Sequence, residues 1–304
     1  MPRVSVVLPT FNRANVIMRS VLSVLNQSYI DLELIVVDDC SNDNSREILT
    51  RVKDPRLKLV FLEENRGACH ARNVGLKIAN GKFVAFQDSG DEWLVDKLSS
   101  QICLLESNPG YKATCTSYLL ISECGKANVI PSHSLSRLNV QVQDLLRCNV
   151  IGTPALVVET SFLRQLRGFD ESLPRFQDWE LAIRITKESP ILFSSVPMVI
   201  AHSCENSITK NHESGIVAHE FIIKKHYNLF LKNKPILALN LRGLAISYFL
   251  SGNVMAATVN VVKSLKYAPT SWKSVIFLFF LLVPISCNFK IGLYRKLEKL
   301  RKSV

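Results

Sequence analysis

Asp88, Asp91 and Glu92 place three carboxylates within five positions of the segment Phe86-Gln87-Asp88-Ser89-Gly90-Asp91-Glu92-Trp93. They follow the apolar run Phe83 to Phe86, which has the character of a strand. Carboxylates crowded at the end of a buried strand are costly unless a cation or a polyhydroxyl ligand compensates them. Taken alone, the segment also fits an acidic turn that caps the next helix. Two further polar stretches follow apolar runs in the same way: Pro9-Thr10-Phe11-Asn12-Arg13 and Asp38-Asp39-Cys40-Ser41-Asn42-Asp43. The three together offer a guanidinium, hydroxyls and several carboxylates. That set suits a nucleoside diphosphate bearing a sugar, with a divalent cation between acids and phosphates. It suits NAD poorly: no G-x-G-x-x-G follows the first strand, and paired acids in its place would repel a pyrophosphate. The sequence has no Walker A motif either.

The elements that would carry these loops are legible. Val4–Leu8, Leu32–Val37, Leu57–Leu62 and Phe83–Gln87 have strand character. They alternate with helical spacing over 14–26, 45–52 and 67–79, and Asn42 or Asn44 is available as a cap for the second helix. This alternation predicts a parallel, doubly wound sheet, in which all three polar loops leave one edge and share a crevice. After Trp93 the pattern changes. Helices are expected over 96–107, 141–147 and 178–187, strands over 111–121, 150–158 and 191–202, and a hairpin turn over 123–126. From His212 the reading is helical throughout, over 212–231, 235–250, 253–267 and 294–302. The Asn-, Ser- and Thr-rich stretch 205–213 is the expected boundary between domains 1–208 and 209–304. Residues 248–269 have the spacing of one tetratricopeptide-like hairpin; a single copy lacks the neighbours such repeats need, so a plain helical hairpin is the better reading.

The chain resembles the family 2 glycosyltransferases. The resemblance rests on Val4-Ser-Val-Val-Leu-Pro-Thr-Phe-Asn12, Gln27-Ser28, Leu34-Ile-Val-Val-Asp-Asp39, Ser41 and Asp43. It continues through Asn65-Arg-Gly67, Ala71-Arg72-Asn73, Gly81, Asp88-Ser89-Gly90-Asp91-Glu92-Trp93, Gly168-Phe-Asp-Glu171 and Gln177-Asp178-Trp179-Glu180-Leu181 with Arg184. These motifs run in order from residue 3 to about 208, and as a set they are specific. The resemblance implies the GT-A fold: a Rossmann-like, mixed, mostly parallel sheet flanked by helices, here with a C-terminal α-helical extension. It implies an inverting, nucleotide-sugar-dependent transferase using Mn2+ or Mg2+, with UDP as the expected nucleotide. In such an enzyme Pro9, Thr10 and Arg13 line the nucleotide pocket, Asp39 reads the uracil ring, and Arg72 contacts nucleotide or phosphate. Asp88 and Ser89 meet the donor, Asp88 and Asp91 hold the metal, and Asp178 is the general base that deprotonates an acceptor hydroxyl. Asp178 can also cap its own helix, and Glu180 is a weaker candidate for the base.

One position departs from the family pattern. Gly90 stands where a second Asp commonly gives Asp-x-Asp, the usual direct metal ligand. Asp88 or Asp91 would have to take its place, and a non-catalytic nucleotide-sugar sensor or scaffold is the rival reading. No Gln-x-x-Arg-Trp follows Asp178, as it does in processive synthases, so transfer of a single sugar to a glycan or glycolipid is expected.

Charge separates the two halves. The chain has a formal net charge of +11, and from residue 205 onward 15 Lys and Arg face 4 Glu and no Asp. The preceding residues balance, so the whole excess lies in the last third. Trp272 to Phe289 is bulky and apolar, with Lys273 before it and Lys290, Arg295, Lys296, Lys299, Arg301 and Lys302 after it. This suits a peripheral protein on an anionic leaflet; a core helix with a solvated basic end, or a dimer contact, is the alternative. Nucleic acid is not expected as a partner, because the aromatics of this region do not alternate with its basic residues. The longest apolar run, 275–287, is 13 residues and too short for an ordinary spanning helix. Eight cysteines without CxxC pairs, and no secretory signal, point to reduced thiols in a cytoplasmic setting, with the inner face of the cell membrane as the place of work.

Overall fold

The computed structural model describes residues 1–122, 124–131, 139–203, 212–283 and 286–302, with backbone alone at 212, 287 and 297–302. The chain divides into two compact units: Met1–Ser172 with Gln177–Ser207, and Leu173–Phe176 with Ile208–Val304.

The first unit is built on one sheet. Strands β1 (Val4–Thr10), β2 (Leu32–Asp38), β3 (Leu57–Phe61) and β4 (Phe83–Phe86) are parallel, in the order β3-β2-β1-β4. β1, β2 and β4 are buried along their whole length, which is why they read as unbroken apolar runs rather than as alternation. The sheet continues through β9 (Leu156–Glu159), β6 (Ala113–Ile121), β10 (Ile191–His202) and β5 (Glu92–Trp93). β9 is antiparallel to both β4 and β6, β10 is parallel to β6, and β5 is antiparallel to β10. Two short strands, β7 (Ala127–Ile130) and β8 (Asn139–Val140), pair antiparallel with β6 and β10. The result is a mixed, mostly parallel sheet.

Register decides where the polar loops go. Thr10 lies opposite Asp38, and Val7 lies opposite Phe86, so the chain leaves β1, β2 and β4 at the same edge. Helix α1 (Ile17–Leu25) and helix α4 (Lys97–Glu106) cover one face of the sheet, where Ile17, Val21, Leu98 and Ile102 join Val6, Leu34 and Ala85 in the core. Helix α3 (Ala68–Ile78) covers the other face, with Ala71 against Ile35 and Val37. Gly75 of α3 lies so close to β1 that a Cβ there would sit 2.4 Å from Val7 Cγ1. Helices α2 (Ser45–Thr50), α5 (Val142–Arg147), α6 (Thr160–Gln165) and α7 (Gln177–Glu188) complete the unit.

Some elements differ from the sequence-based expectation. The strand expected over 150–158 forms only at 156–159, because Thr153-Pro154-Ala155 winds into a 3-10 turn and Pro154 has no N–H to give a ladder. The helix expected over 212–231 is two, α8 (His212–Lys225) and α9 (Tyr227–Lys232), separated at His226. Residue 123 of the expected hairpin turn and residues 204–211 of the expected domain boundary lie outside the described residues.

The second unit is helical: α8, α9, α10 (Lys234–Leu250), α11 (Val254–Tyr267), α12 (Trp272–Leu282) and α13 (Cys287–Lys302). α13 begins well before Tyr294, where the sequence pattern alone would start it. Asn253 caps α11 by accepting from the Ala256 N–H at 3.0 Å. Phe249 is the hub of the core, with Phe277, Phe280 and Tyr294 at ring distances of 5.8, 5.7 and 5.9 Å in edge-on contact. No described helix is long and apolar enough to cross a membrane.

Candidate active site

The β1 and β2 loops are tied together before they can hold anything else. Asn12, in the left-handed region at φ 52°, donates its backbone N–H to Ser41 Oγ at 2.8 Å and accepts from the Asn42 N–H at 2.9 Å. The Arg13 N–H donates to Ser45 Oγ at 2.9 Å, and the Ala14 N–H to Asp43 Oδ2 at 3.0 Å. This lattice explains why Ser41 and Asp43 accompany the Pro9–Arg13 stretch in sequence. Pro9 is buried within β1 opposite Val37. The Thr10 hydroxyl is buried at this edge without a hydrogen-bond partner within the protein.

The two neighbouring acids have different roles. Asp38 is fully buried and structural: its Oδ1 accepts from the Ser41 N–H at 3.0 Å and from Arg46 Nε at 2.5 Å. Asp39 accepts the Arg66 N–H on Oδ1 at 3.0 Å and the Gly67 N–H on Oδ2 at 2.7 Å. Its own N–H donates to Thr10 O at 2.8 Å, and its carbonyl accepts from Asn65 Nδ2 at 3.1 Å. Asp39 therefore joins β1, β2 and the start of α3, and Asn65-Arg66-Gly67 is its partner segment.

Arg72 projects from α3 and is almost wholly buried. Its Nη2 donates to Asp88 Oδ1 at 2.6 Å, while its Nε is buried without a partner. Its guanidinium lies over Phe169 at 5.3 Å, and Phe169 in turn meets Phe86 edge-on at 4.9 Å. Asn73 fixes this backing by donating to Phe169 O at 2.9 Å and accepting the Phe169 N–H at 2.8 Å. Thus Gly168-Phe-Asp-Glu171 serves to hold Arg72 from behind.

The acidic loop is clamped from α1. Ser20 Oγ donates to Asp91 O at 2.8 Å and accepts the Gly90 N–H at 2.8 Å, and Arg19 donates to Gly90 O. Gln87 Nε2 also donates to Asp91 O, at 2.9 Å. Asp91 Oδ1 accepts the His202 N–H at 3.1 Å, and the His202 ring pairs with Glu92 at 2.9 Å. Ser89 bridges to Asp91 and is half-buried. Burial, and next the charge of Asp88, push the Asp91 carboxyl up to about 7, with Arg19 and Arg13 opposing. Two carboxylates in one electrostatic neighbourhood, Asp88 and Asp91, suit a divalent cation. One oxygen of each is already committed, and among the described residues no three acid, His or Cys side chains form a metal cage. A divalent cation at Asp88 and Asp91 would need its remaining ligands from outside the protein, as Mg2+ sites commonly do.

Gly90 has a conformational reason. Its φ is +111°, where side chains are strained, although a Cβ would meet only Val16 Cγ2 at 3.7 Å. Gly90→Asp is therefore expected to lower stability by about 1–3 kcal/mol through backbone strain rather than crowding, read as a drop in thermal midpoint. An unchanged midpoint would show that the loop re-folds around the new residue.

Asp178, in the first turn of α7, completes the site. Its carboxyl is raised to about 6, first by burial; the Trp179 N–H at 2.7 Å and the Asn149 side chain oppose this, the Asp88 charge adds to it and Arg72 reduces it. Asp178, Asp88 and Arg72 therefore share one electrostatic neighbourhood, although they come from α7, the β4 loop and α3. Tyr118 of β6 belongs there too: burial, then the charges of Asp178 and Asp91, push its phenol up. Its ring lies against Gly152, where a Cβ would be 3.0 Å from Cε1. Glu180 is elsewhere engaged, fully buried and paired with Arg184 at 2.7 Å, while Arg184 donates to Leu166 O and Gly168 O. Arg19, Ser20, Tyr118, Asn149 and His202 contact or electrostatically couple to the acidic loop and Asp178, and motif reading missed them. Arg19 and Ser20 lie on a helix whose apolar stripe drew attention to its other positions, Tyr118 and His202 reach the acids through β6 and β10, and Asn149 through the loop after α5.

Residues 5–194 match the sequence profile of Glycosyl transferase family 2. A Bacillus subtilis (strain 168) relative named for teichuronic acid biosynthesis, the glycosyltransferase TuaG, is 37% identical over 55% of this chain and 66% of its own length. The Escherichia coli UDP-Glc:alpha-D-GlcNAc-diphosphoundecaprenol beta-1,3-glucosyltransferase WfgD is 33% identical over 62% of this chain and 71% of its own length. The fold is shared with residues 1–349 of S. aureus TarS in complex with UDP-GlcNAc, at 20% identity, TM-score 0.68 and coverage of 100% of this chain and 92% of that one. It is also shared with a Pyrobaculum calidifontis mannosyltransferase in complex with GDP-Man and Mn2+, at 22% identity, TM-score 0.57 and coverage of 91% and 78%.

Proposed function

The chain belongs to glycosyl transferase family 2, and we propose that it transfers a single sugar, with inversion, from a UDP-sugar to a hydroxyl of a lipid-linked glycan in the assembly of a bacterial surface polysaccharide. Residues 1–208 form the transferase domain in this reading, and 209–304 a basic helical region. The named activity of WfgD supports both the UDP-sugar and the diphosphoundecaprenol-type acceptor. The observation that carries the reading is Asp178: a half-buried carboxyl raised to about 6 beside the Asp88–Arg72 pair. A group with that poise is half converted to base just below neutral pH and can take a proton from an acceptor hydroxyl.

The other residues divide the remaining work. Thr10 and Asp39 form the edge where the nucleotide base would lie, and Asp39 has acceptor lone pairs beyond those used by the 66 and 67 N–H groups. Arg72 offers a buried cation with an unused Nε toward a phosphate. Arg13 brings a second positive charge to the same loops. Mn2+ or Mg2+ held by Asp88 and Asp91 would neutralise charge on the departing diphosphate.

The deciding experiment is UDP release from a panel of UDP-sugars by the purified chain, with Mn2+, Mg2+ or EDTA, in the presence and absence of undecaprenyl-diphosphate-linked sugars. Metal-dependent release stimulated by one acceptor is the expected result. UDP binding without turnover under every metal and acceptor would establish the non-catalytic sensor instead. Asp39→Ala is expected to weaken UDP binding by about 1–3 kcal/mol, the worth of a hydrogen bond to a charged group. Calorimetry on the folded variant checks this, and unchanged affinity would remove Asp39 from the pocket.

A further inference from the structure

We propose that one outward face of α12 and α13 is a membrane-docking surface, and that its occupant is an anionic lipid bilayer met side-on. On α12, Ser274, Phe277 and Leu281 turn inward and are buried. Trp272, Ile276, Phe279 and Leu282 recur at intervals of three or four and are 65, 58, 67 and 64% exposed. Phe289 and Leu293 continue the pattern on α13 as exposed residues one turn apart. Large side chains grouped so on a helical face mark an interaction site rather than ordinary surface. The eleven residues of α12 span about 16 Å, roughly half the hydrocarbon thickness, so the helix can lie in an interface but not cross it.

Charge selects the occupant. The last third of the chain holds the whole net charge of +11. Lys273 adjoins Trp272 with its Nζ 5.5 Å from the ring centroid, and Arg295 and Lys296 are exposed beside Leu293. A second copy of this chain would bring like charge against like charge. An anionic leaflet accepts both the apolar side chains and the cations. Lys290 stands apart from the set that the sequence suggested: it is buried, and its Nζ caps α12 by donating to Leu281 O at 2.7 Å. The inference rests on the lipid-linked-acceptor reading for its purpose, but its test does not need that reading to be right.

The test uses the full chain with vesicles of phosphatidylcholine alone or mixed with phosphatidylglycerol. Trp93 and Trp179 are buried, so a blue shift and quenching by bromolipid report Trp272. Binding to the anionic vesicles is expected, weakening with salt. Ile276→Asp with Phe279→Asp, at exposed positions that leave the core intact, should lower vesicle recovery roughly tenfold or more. Arg295→Glu with Lys296→Glu should abolish the preference for phosphatidylglycerol. A folded chain that ignores anionic vesicles overturns the proposal. So does light scattering that shows a dimer dispersed by Phe279→Asp, which would make the face a self-interface. UDP release measured on the same samples, with UDP-sugars, metal and undecaprenyl-diphosphate-linked sugars added, separates the two readings: release without vesicle binding removes only the docking face, and vesicle binding without release removes only the transferase assignment.

Discussion

Asp178→Asn is expected to reduce sugar transfer by about 10²–10⁴-fold, the usual contribution of a positioned general base, while UDP affinity stays nearly unchanged. The amide keeps the shape of the carboxylate and can still accept the Trp179 N–H through its oxygen. What it cannot do is take up a proton. In its proposed role Asp178 acts on the acceptor, so donor binding should not depend on it; loss of UDP binding in this variant would mean that the residue belongs to the donor pocket. The wild-type pH profile provides a second check. A base must be deprotonated to act, and this carboxyl is raised to about 6, first by burial. Thus kcat/KM should rise with pH through about 6 and level off above it, falling away on the acid side. A rise centred near 4 would show an unperturbed carboxylate, and hence a different base.

Arg72→Met is the second large effect. The substitution removes a buried cation and keeps an apolar side chain of similar length over Phe169. It leaves Asp88 without its 2.6 Å partner, in a neighbourhood that already contains Asp91 and Asp178. Breaking a buried ion pair from one side costs about 3–5 kcal/mol. Asp88 is about one-third exposed, so about 3 kcal/mol is the expected loss, read by denaturant unfolding. Arg72 also lowers the Asp178 carboxyl, so its removal should move the acid limb of kcat/KM to higher pH and weaken donor binding together. A variant that lost stability but kept both the wild-type pH midpoint and donor affinity would make Arg72 a structural residue only. Arg72→Lys should recover part of the stability, since the charge returns, but less of the donor affinity, since the fork of donors does not.

The region up to the acidic loop was legible because its signals are local. Runs such as Val4–Leu8 and Leu32–Val37 are apolar at every position, and only a strand covered on both faces needs that. The loops after them carry acids and hydroxyls that a buried edge would not tolerate without a purpose. The motifs around Asp39, Arg72, Asp88 and Asp178 were likewise visible as residue types in order. Less legible was the span from 150 to 158, where apolar composition suggested a strand and Pro154 imposed a turn. Lys290 looked like one more surface cation, and the end of α12 takes it inward.

The sequence by itself determined which residue types were available, in what order, and on which kind of element each would lie, since apolar periodicity and turn chemistry are properties of adjacent positions. Only the tertiary structure decided which of them act together. Asp178 acquires its raised carboxyl from burial and from Asp88, which lies 90 positions away in the chain. Tyr118 and His202 join the acids through β6 and β10, and Glu180, two positions from Asp178, is turned to Arg184 instead. Gly90 is likewise set by a backbone angle held by Ser20 and Arg19 from another helix. Desolvation and charge–charge coupling depend on distance through space, and that distance is fixed only when the sheet order and the helix packing are.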